Sequence, residues 1–336
     1  MIDLSPKERY LKILEGKKVD RVSCSCPLQT GTADLMKLTG SYWPDAHKNA
    51  VKMADLSYGA WEHMGLESVR VPFCLTIEAE ALGCGIDIDS PKSQPAVKKH
   101  VLTDPSGLED LKVPNPEKDC RMPVVGEAIS ILKEKVGDEL PIIGGILSPF
   151  TLAGHLRGVE NLLIDTFDNP GFVEDVVSFA SEVAIEYSRF LLEMGADSIC
   201  LIDPSATTEL IGPDMFASLA GPMNKKVIDK INAPTVLHIC GDTTAILDSM
   251  EKTGANGVSV DPLVDRKVAK SKIKDSILVG NINPVETLLF GDVEKVKAEA
   301  RQCIDDGVGI LAPGCGLSPN TPLENVKAYT ELVRGN

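Results

Sequence analysis

Long apolar runs, positive charge and aromatic rings are what this 336-residue sequence has least of. No stretch approaches the roughly 18 consecutive apolar residues of a membrane-spanning helix, so a membrane span is excluded. Lysine and arginine number 34 against 49 acidic residues, a net charge of −15. Such a surface repels nucleic-acid phosphates and anionic lipid heads, so neither is an expected partner. Phenylalanine, tyrosine and tryptophan make up 4% of the chain, which leaves little surface for stacking bases. The opening MIDLSPKERYLKILEGKKVD has no apolar core of the kind a secretory signal needs, and the expected location is the cytoplasm. Low-complexity tracts, charged linkers and short fixed-period repeats are also missing. Residues 1–336 therefore read as one domain. In such a chain the nine cysteines are expected as reduced thiols or metal ligands rather than disulfides.

What recurs is a short β-branched run followed by a longer amphipathic segment. Residues 5–16 open with Ser5, Pro6 and Glu8, a capping-box start, and stop at Gly16. Strand-like runs follow at 21–26, 68–72, 141–146, 197–202, 235–240, 257–261, 276–281 and 307–312. Helical spacing fills 172–194, 214–231, 242–253, 292–305 and 322–334. Eight strands alternating with helices predict an α/β fold, a closed (β/α)8 TIM barrel. The open doubly wound sheet is the alternative, but it usually carries a glycine-rich phosphate loop after its first strand, and here that strand runs into PLQTGT. The irregular stretch 74–125 reads as an insertion after the second strand, near the barrel mouth.

The sharpest local feature is His238-Ile239-Cys240 at the end of the fifth run. Strand side chains alternate, so His238 and Cys240 point the same way. They sit at the carboxyl end, where barrel enzymes keep their chemistry. Cys315, between Gly314 and Gly316 just after the eighth run, belongs to the same rim. One imidazole and two thiolates suit zinc, and three protein ligands leave a fourth position for catalysis. Asp261, ending the sixth run, is the candidate fourth ligand, with water as the alternative. Asp203, ending the fourth run, is a candidate substrate contact, or a hydrogen-bond partner for a cap or for His238. Cys24 and Cys26 are also two apart, but they are expected to pack the barrel interior. The remaining cysteines, Cys74, Cys84, Cys120, Cys200 and Cys303, are expected as small apolar core residues.

At these residues the sequence resembles the uroporphyrinogen decarboxylase superfamily, and within it the methylcobamide:coenzyme M methyltransferases of methanogens. ERYLKILEGKKVDRV (8–22) and GGILSPFTLAG (144–154) are similar to superfamily segments. VLHICGD (236–242) and LAPGCGLSPNTPLENVKA (311–328) resemble the two-part zinc signature of the methyltransferase branch. The resemblance implies one zinc per chain on His238, Cys240 and Cys315. It also implies methylcobamide, carried by a separate corrinoid protein, as methyl donor and coenzyme M as the thiol acceptor. Its sulfonate needs donors, for which Arg70 and the backbone around Ser318 are candidates. A decarboxylase of the same superfamily is the competing reading. Its arginine-rich motif would fall near residues 27–32, where PLQTGT holds no arginine to meet tetrapyrrole carboxylates. A non-catalytic corrinoid- or metal-binding module is the third.

Overall fold

The computed structural model describes residues 4–335. Strand β1 (Val69–Val71) is followed by a small antiparallel hairpin, β2 (Gly85–Asp87) and β3 (Ala96–Lys99), which forms its own sheet. Six further strands follow: β4 (Ile142–Leu147), β5 (Ser198–Ile202), β6 (Thr235–Ile239), β7 (Gly257–Val260), β8 (Ile277–Ile282) and β9 (Ile310–Pro313). They join β1 in one parallel seven-stranded sheet in the order β1-β4-β5-β6-β7-β8-β9. Helices separate consecutive strands, as parallel connections require.

The gap between β9 and β1 is where sequence and structure differ. Residues 21–26 were expected as a strand, but they form only a single parallel bridge, Ser23 to Ile310. The Leu311 amide donates to the Ser23 carbonyl at 2.7 Å. On the other side the Glu67 amide donates to the Cys24 carbonyl at 3.0 Å. Side chains supply the rest. Ser25 Oγ donates to the Glu67 carbonyl, Ser68 Oγ accepts from the Cys26 amide, and a Glu67 carboxylate oxygen accepts from the Cys24 amide. The barrel thus closes through serine and carboxylate contacts in place of an eighth regular ladder.

The N-terminal helix Pro6–Leu14 starts with the predicted capping box between Ser5 and Glu8. It plugs the amino end of the barrel. Tyr10 Oη lies 3.1 Å from Ser198 Oγ at the start of β5, and Leu14 packs against Gly257 at the start of β7. The expected helix 172–194 is Pro170–Glu193, capped by Asn169. The expected 292–305 and 322–334 are Val293–Asp305 and Leu323–Arg334. The expected helix 214–231 forms as far as Ile228 and carries a π-turn within it. A helix Thr208–Met215 is kinked at Gly212–Pro213, passes through a π-turn at Phe216–Ala220, and continues as Gly221–Ile228. Proline removes a backbone donor and crowds the preceding turn, which accounts for the kink. The stretch read as irregular, 74–125, holds the helix Ile77–Ala81, the hairpin and a 3-10 helix, Pro105–Asp110. Among the described residues no helix is long and apolar enough to cross a membrane.

Candidate metal centre

His238 is the fourth residue of β6 and is fully buried; Cys240 directly follows the strand and is half-buried. Cys240 Sγ lies 3.3 Å from His238 Nε2. Cys315 comes from the loop after β9. The Gly314 amide bonds the Ile282 carbonyl at 2.8 Å, and Gly314 presses against Pro262, just past β7. A β-carbon at Gly314 would come within 2.5 Å of the Pro262 ring, so only glycine permits this approach. The loop is thereby drawn over the mouth, and Cys315 Sγ stops 3.7 Å from Cys240 Sγ. Ligand atoms of His238, Cys240 and Cys315 all lie within 4.8 Å of one another.

The two thiols are unequal. Cys315 is shifted down, chiefly by the hydrogen bond it receives from Cys240 and then from His238, against the effect of burial. Cys240 is shifted up because it donates to Cys315 and is buried. A thiolate beside an imidazole and a second thiol is a soft donor set, which zinc or another soft divalent metal would accept. The residues present fit such an ion.

His238 Nδ1 is hydrogen-bonded to Ser259 Oγ at 3.0 Å. Ser259 sits on β7 directly opposite His238 in the strand register. Sequence reading missed this serine, because cross-strand pairing is not written locally in the chain. Asp203 holds a different post. Its amide donates to the His238 carbonyl, but its carboxylate accepts from the Thr151 amide and hydroxyl and from Asn224 Nδ2. It caps the first turn of the helix Pro149–Arg157, whose own N-cap, Ser148, makes no side-chain cap bond. Burial raises Asp203 to about 6. Asp261 stands outside the close trio. Its Oδ1 accepts from the Leu263 amide at 3.1 Å, and its charge contributes to the upward shift of Cys240. Ser318 Oγ accepts from the Asn320 amide at 3.3 Å, and Ser318 is not among the residues lining the cavity beside the trio.

A cavity of about 100 Å³ opens beside the trio, lined by His238, Cys240, Cys315, Arg70, Phe73 and Gln94 among others. Gln94 comes from the loop joining β2 to β3, so the 74–125 segment does reach the mouth. Arg70 is 2% exposed. Its Nη1 donates to the Pro72 carbonyl, while its Nε has no partner. Gln29, from the PLQTGT segment, also lines this cavity, its amide tied to Gly31 and to the Leu317 carbonyl. Cys74, Cys84, Cys200 and Cys303 are buried as expected, and so are Cys24 and Cys26, but Cys120 is exposed. Cys120 sits at a positive φ of 49°, in a turn ahead of the helix Met122–Val136, which leaves it outside the core.

Comparison with known proteins agrees with this architecture. The family described as Uroporphyrinogen decarboxylase (URO-D) matches residues 5–335. A methylcobamide:CoM methyltransferase, MtbA, of Methanosarcina acetivorans is 41% identical over 99% of each chain. A second one, MtaA of Methanosarcina barkeri, is 41% identical, covering 98% of this chain and 97% of the relative. A uroporphyrinogen decarboxylase of Prochlorococcus marinus is 28% identical over 74% of this chain and 73% of its own. Among solved structures, a methyltransferase from Methanosarcina mazei superposes with a TM-score of 0.95 at 40% identity, covering 99% of both chains. The chain belongs to the uroporphyrinogen decarboxylase family, in its methylcobamide:CoM methyltransferase branch.

Proposed function

We propose that this protein, working in the cytoplasm, transfers a methyl group from a methylated corrinoid, carried by a separate protein, to the thiol of coenzyme M, using one zinc ion. The observation that carries the reading is the convergence of His238, Cys240 and Cys315 on the wall of a cavity that also holds a buried guanidinium. The full-length kinship with named methylcobamide:CoM methyltransferases supports it.

His238, Cys240 and Cys315 would hold the metal, and the fourth position would go to Asp261 or to water before a thiol arrives. When bound, zinc supplies the charge that brings a substrate thiol to its thiolate near neutral pH. Two cysteinates already offset the charge of a divalent ion, so an added sulfur keeps its electron density and remains a nucleophile. Arg70 would face the sulfonate. Its unpartnered Nε and its burial make an anion the natural complement of the cavity. The apolar wall, which includes Phe73, excludes water and holds the short thiol in line with the incoming methyl group. Asp203 is engaged by Thr151 and Asn224, and the reading gives it no direct contact with the thiol, while backbone N–H groups around Ser318 remain candidate donors to the sulfonate.

The test is turnover of methylcobalamin with coenzyme M, together with elemental analysis. The purified protein should carry about one zinc per chain. Chelation should abolish turnover and added zinc restore it. Cys240→Ser and Cys315→Ser should lose metal and activity while keeping the native circular dichroism. Undiminished turnover by metal-free protein would refute the proposal.

A further inference from the structure

We infer that Ser259 is the positioning residue that selects the metal-facing nitrogen of His238. The inference rests on the metal-site reading above and extends it to a residue that no sequence motif marks. Three observations carry it. Ser259 lies opposite His238 in the parallel register of β6 and β7. Its hydroxyl is 3.0 Å from Nδ1, while Nε2 is turned toward Cys240. Both residues are fully buried, so no solvent stands ready to replace the bond.

The chemistry follows from the two nitrogens of imidazole. A metal ligand needs a lone pair at Nε2, so the ring proton must reside on Nδ1 and be donated to an acceptor there. The hydroxyl of Ser259 is that acceptor. Without it, a buried N–H is left unsatisfied, and the ring loses its preference for this tautomer and this orientation. The identity of the acceptor also matters. Many metal-bound histidines lean on a carboxylate, which pushes electron density through the ring to the metal. The carboxylate at hand, Asp203, is instead engaged by Thr151 and Asn224. A neutral hydroxyl orients His238 without adding a third anion to a site that already carries two cysteines. Such a site keeps its attraction for an incoming thiolate.

The experiment measures metal binding rather than turnover. Zinc alone is titrated into metal-free protein in competition with a chromophoric chelator, and cobalt(II) is used as the spectroscopic probe. Ser259→Ala should weaken zinc binding by about 10- to 100-fold. It should alter the cobalt(II) ligand-field bands while the metal-free protein keeps its native circular dichroism. Ser259→Thr, which keeps the hydroxyl, should recover most of the affinity. Ser259→Cys, similar in shape with a weaker hydrogen bond, should fall between. Zinc binding by Ser259→Ala within twofold of the unaltered protein, with the same cobalt(II) spectrum, would overturn the inference. An unaltered protein that binds no zinc at all would instead overturn the metal-site reading, so the two failures are distinguishable.

Discussion

At the scale of single residues, the centre of the barrel is shaped by what its neighbours leave out. Gly145 on β4 faces the guanidinium of Arg70, and a β-carbon there would overlap the guanidinium itself. Arg70 can lie across the lumen toward the cavity only because residue 145 has no side chain. Gly145→Ala therefore has a specific expected outcome. The added methyl would push the guanidinium off its present line, and overpacking of this kind typically costs about 1–3 kcal/mol. If Arg70 meets the sulfonate, Gly145→Ala should raise KM for coenzyme M by about tenfold or more while leaving KM for 2-mercaptoethanol, which lacks the sulfonate, nearly unchanged. Equal effects on the two thiols would remove Arg70 from the recognition site. The trio itself was legible from the sequence because period-two alternation relates His238 to Cys240, and the flanking glycines mark the bend at Cys315. Ser259 was not legible, because its importance lies in register, and a four-residue strand carries no local record of what it faces.

At the scale of elements, seven of the eight expected strands are real, because short β-branched runs between glycines and prolines have few other ways to bury themselves. The exception, residues 21–26, alternates serine and cysteine with little bulk to hold a ladder. The gap is stabilised from Glu67, just ahead of β1. This carboxylate is 1% exposed and accepts from Arg21 Nη1 at 2.9 Å, Arg9 Nη1 at 3.2 Å and the Cys24 amide at 3.2 Å. Burial alone would raise it, but the hydrogen bonds from Arg21, with further help from Cys24 and Arg9, hold it below the usual glutamate range. Removing one member of a buried ion cluster typically costs about 3–5 kcal/mol, since the remaining charge loses its partner. Glu67→Gln should thus lower stability by about that much in urea unfolding. The metal site lies at the opposite end of the strands, so zinc content should be unchanged. A loss within about 0.5 kcal/mol would show that closure does not depend on this carboxylate. The expected helix 214–231 was legible for the same reason as the strands, and only its π-turn was not. Apolar spacing continues through the segment and carries no sign of the π-turn at Phe216–Ala220, while Gly212–Pro213 interrupts the backbone just ahead of it.

At the scale of the whole molecule, buried titratable groups shape stability between about pH 3 and 7 in two opposite senses. His47 is fully buried against Trp43, with ring centroids 4.9 Å apart and neither ring nitrogen partnered. Burial, reinforced by the positive charge of Arg121, lowers it to about 3. His155 is lowered to about 4, mainly by burial. Between the ordinary histidine value near 6.5 and these depressed values, the unfolded chain binds protons that the folded chain refuses. Stability is therefore intact above about pH 6.5 and falls as pH drops, by up to about 1.4 kcal/mol per pH unit for the fully buried His47 and by less for the partly exposed His155. Glu78 works in the opposite sense. It is buried beside Arg70, accepts from the Leu147 amide at 2.7 Å, and is raised by burial to about 7. Its contribution is present at low pH and is lost as pH rises from about 4.3 toward 7, because ionisation is easier in the unfolded chain. His47→Phe isolates the first effect. It keeps a ring against Trp43 and removes the titrating nitrogens. The slope of unfolding free energy between pH 6.5 and 4 should flatten by about one proton's worth, with little change above pH 7. An unchanged slope between pH 6.5 and 4 in the variant would show that His47 does not carry it, since Asp20, held down by the hydrogen bonds of Arg9, acts only below about pH 4.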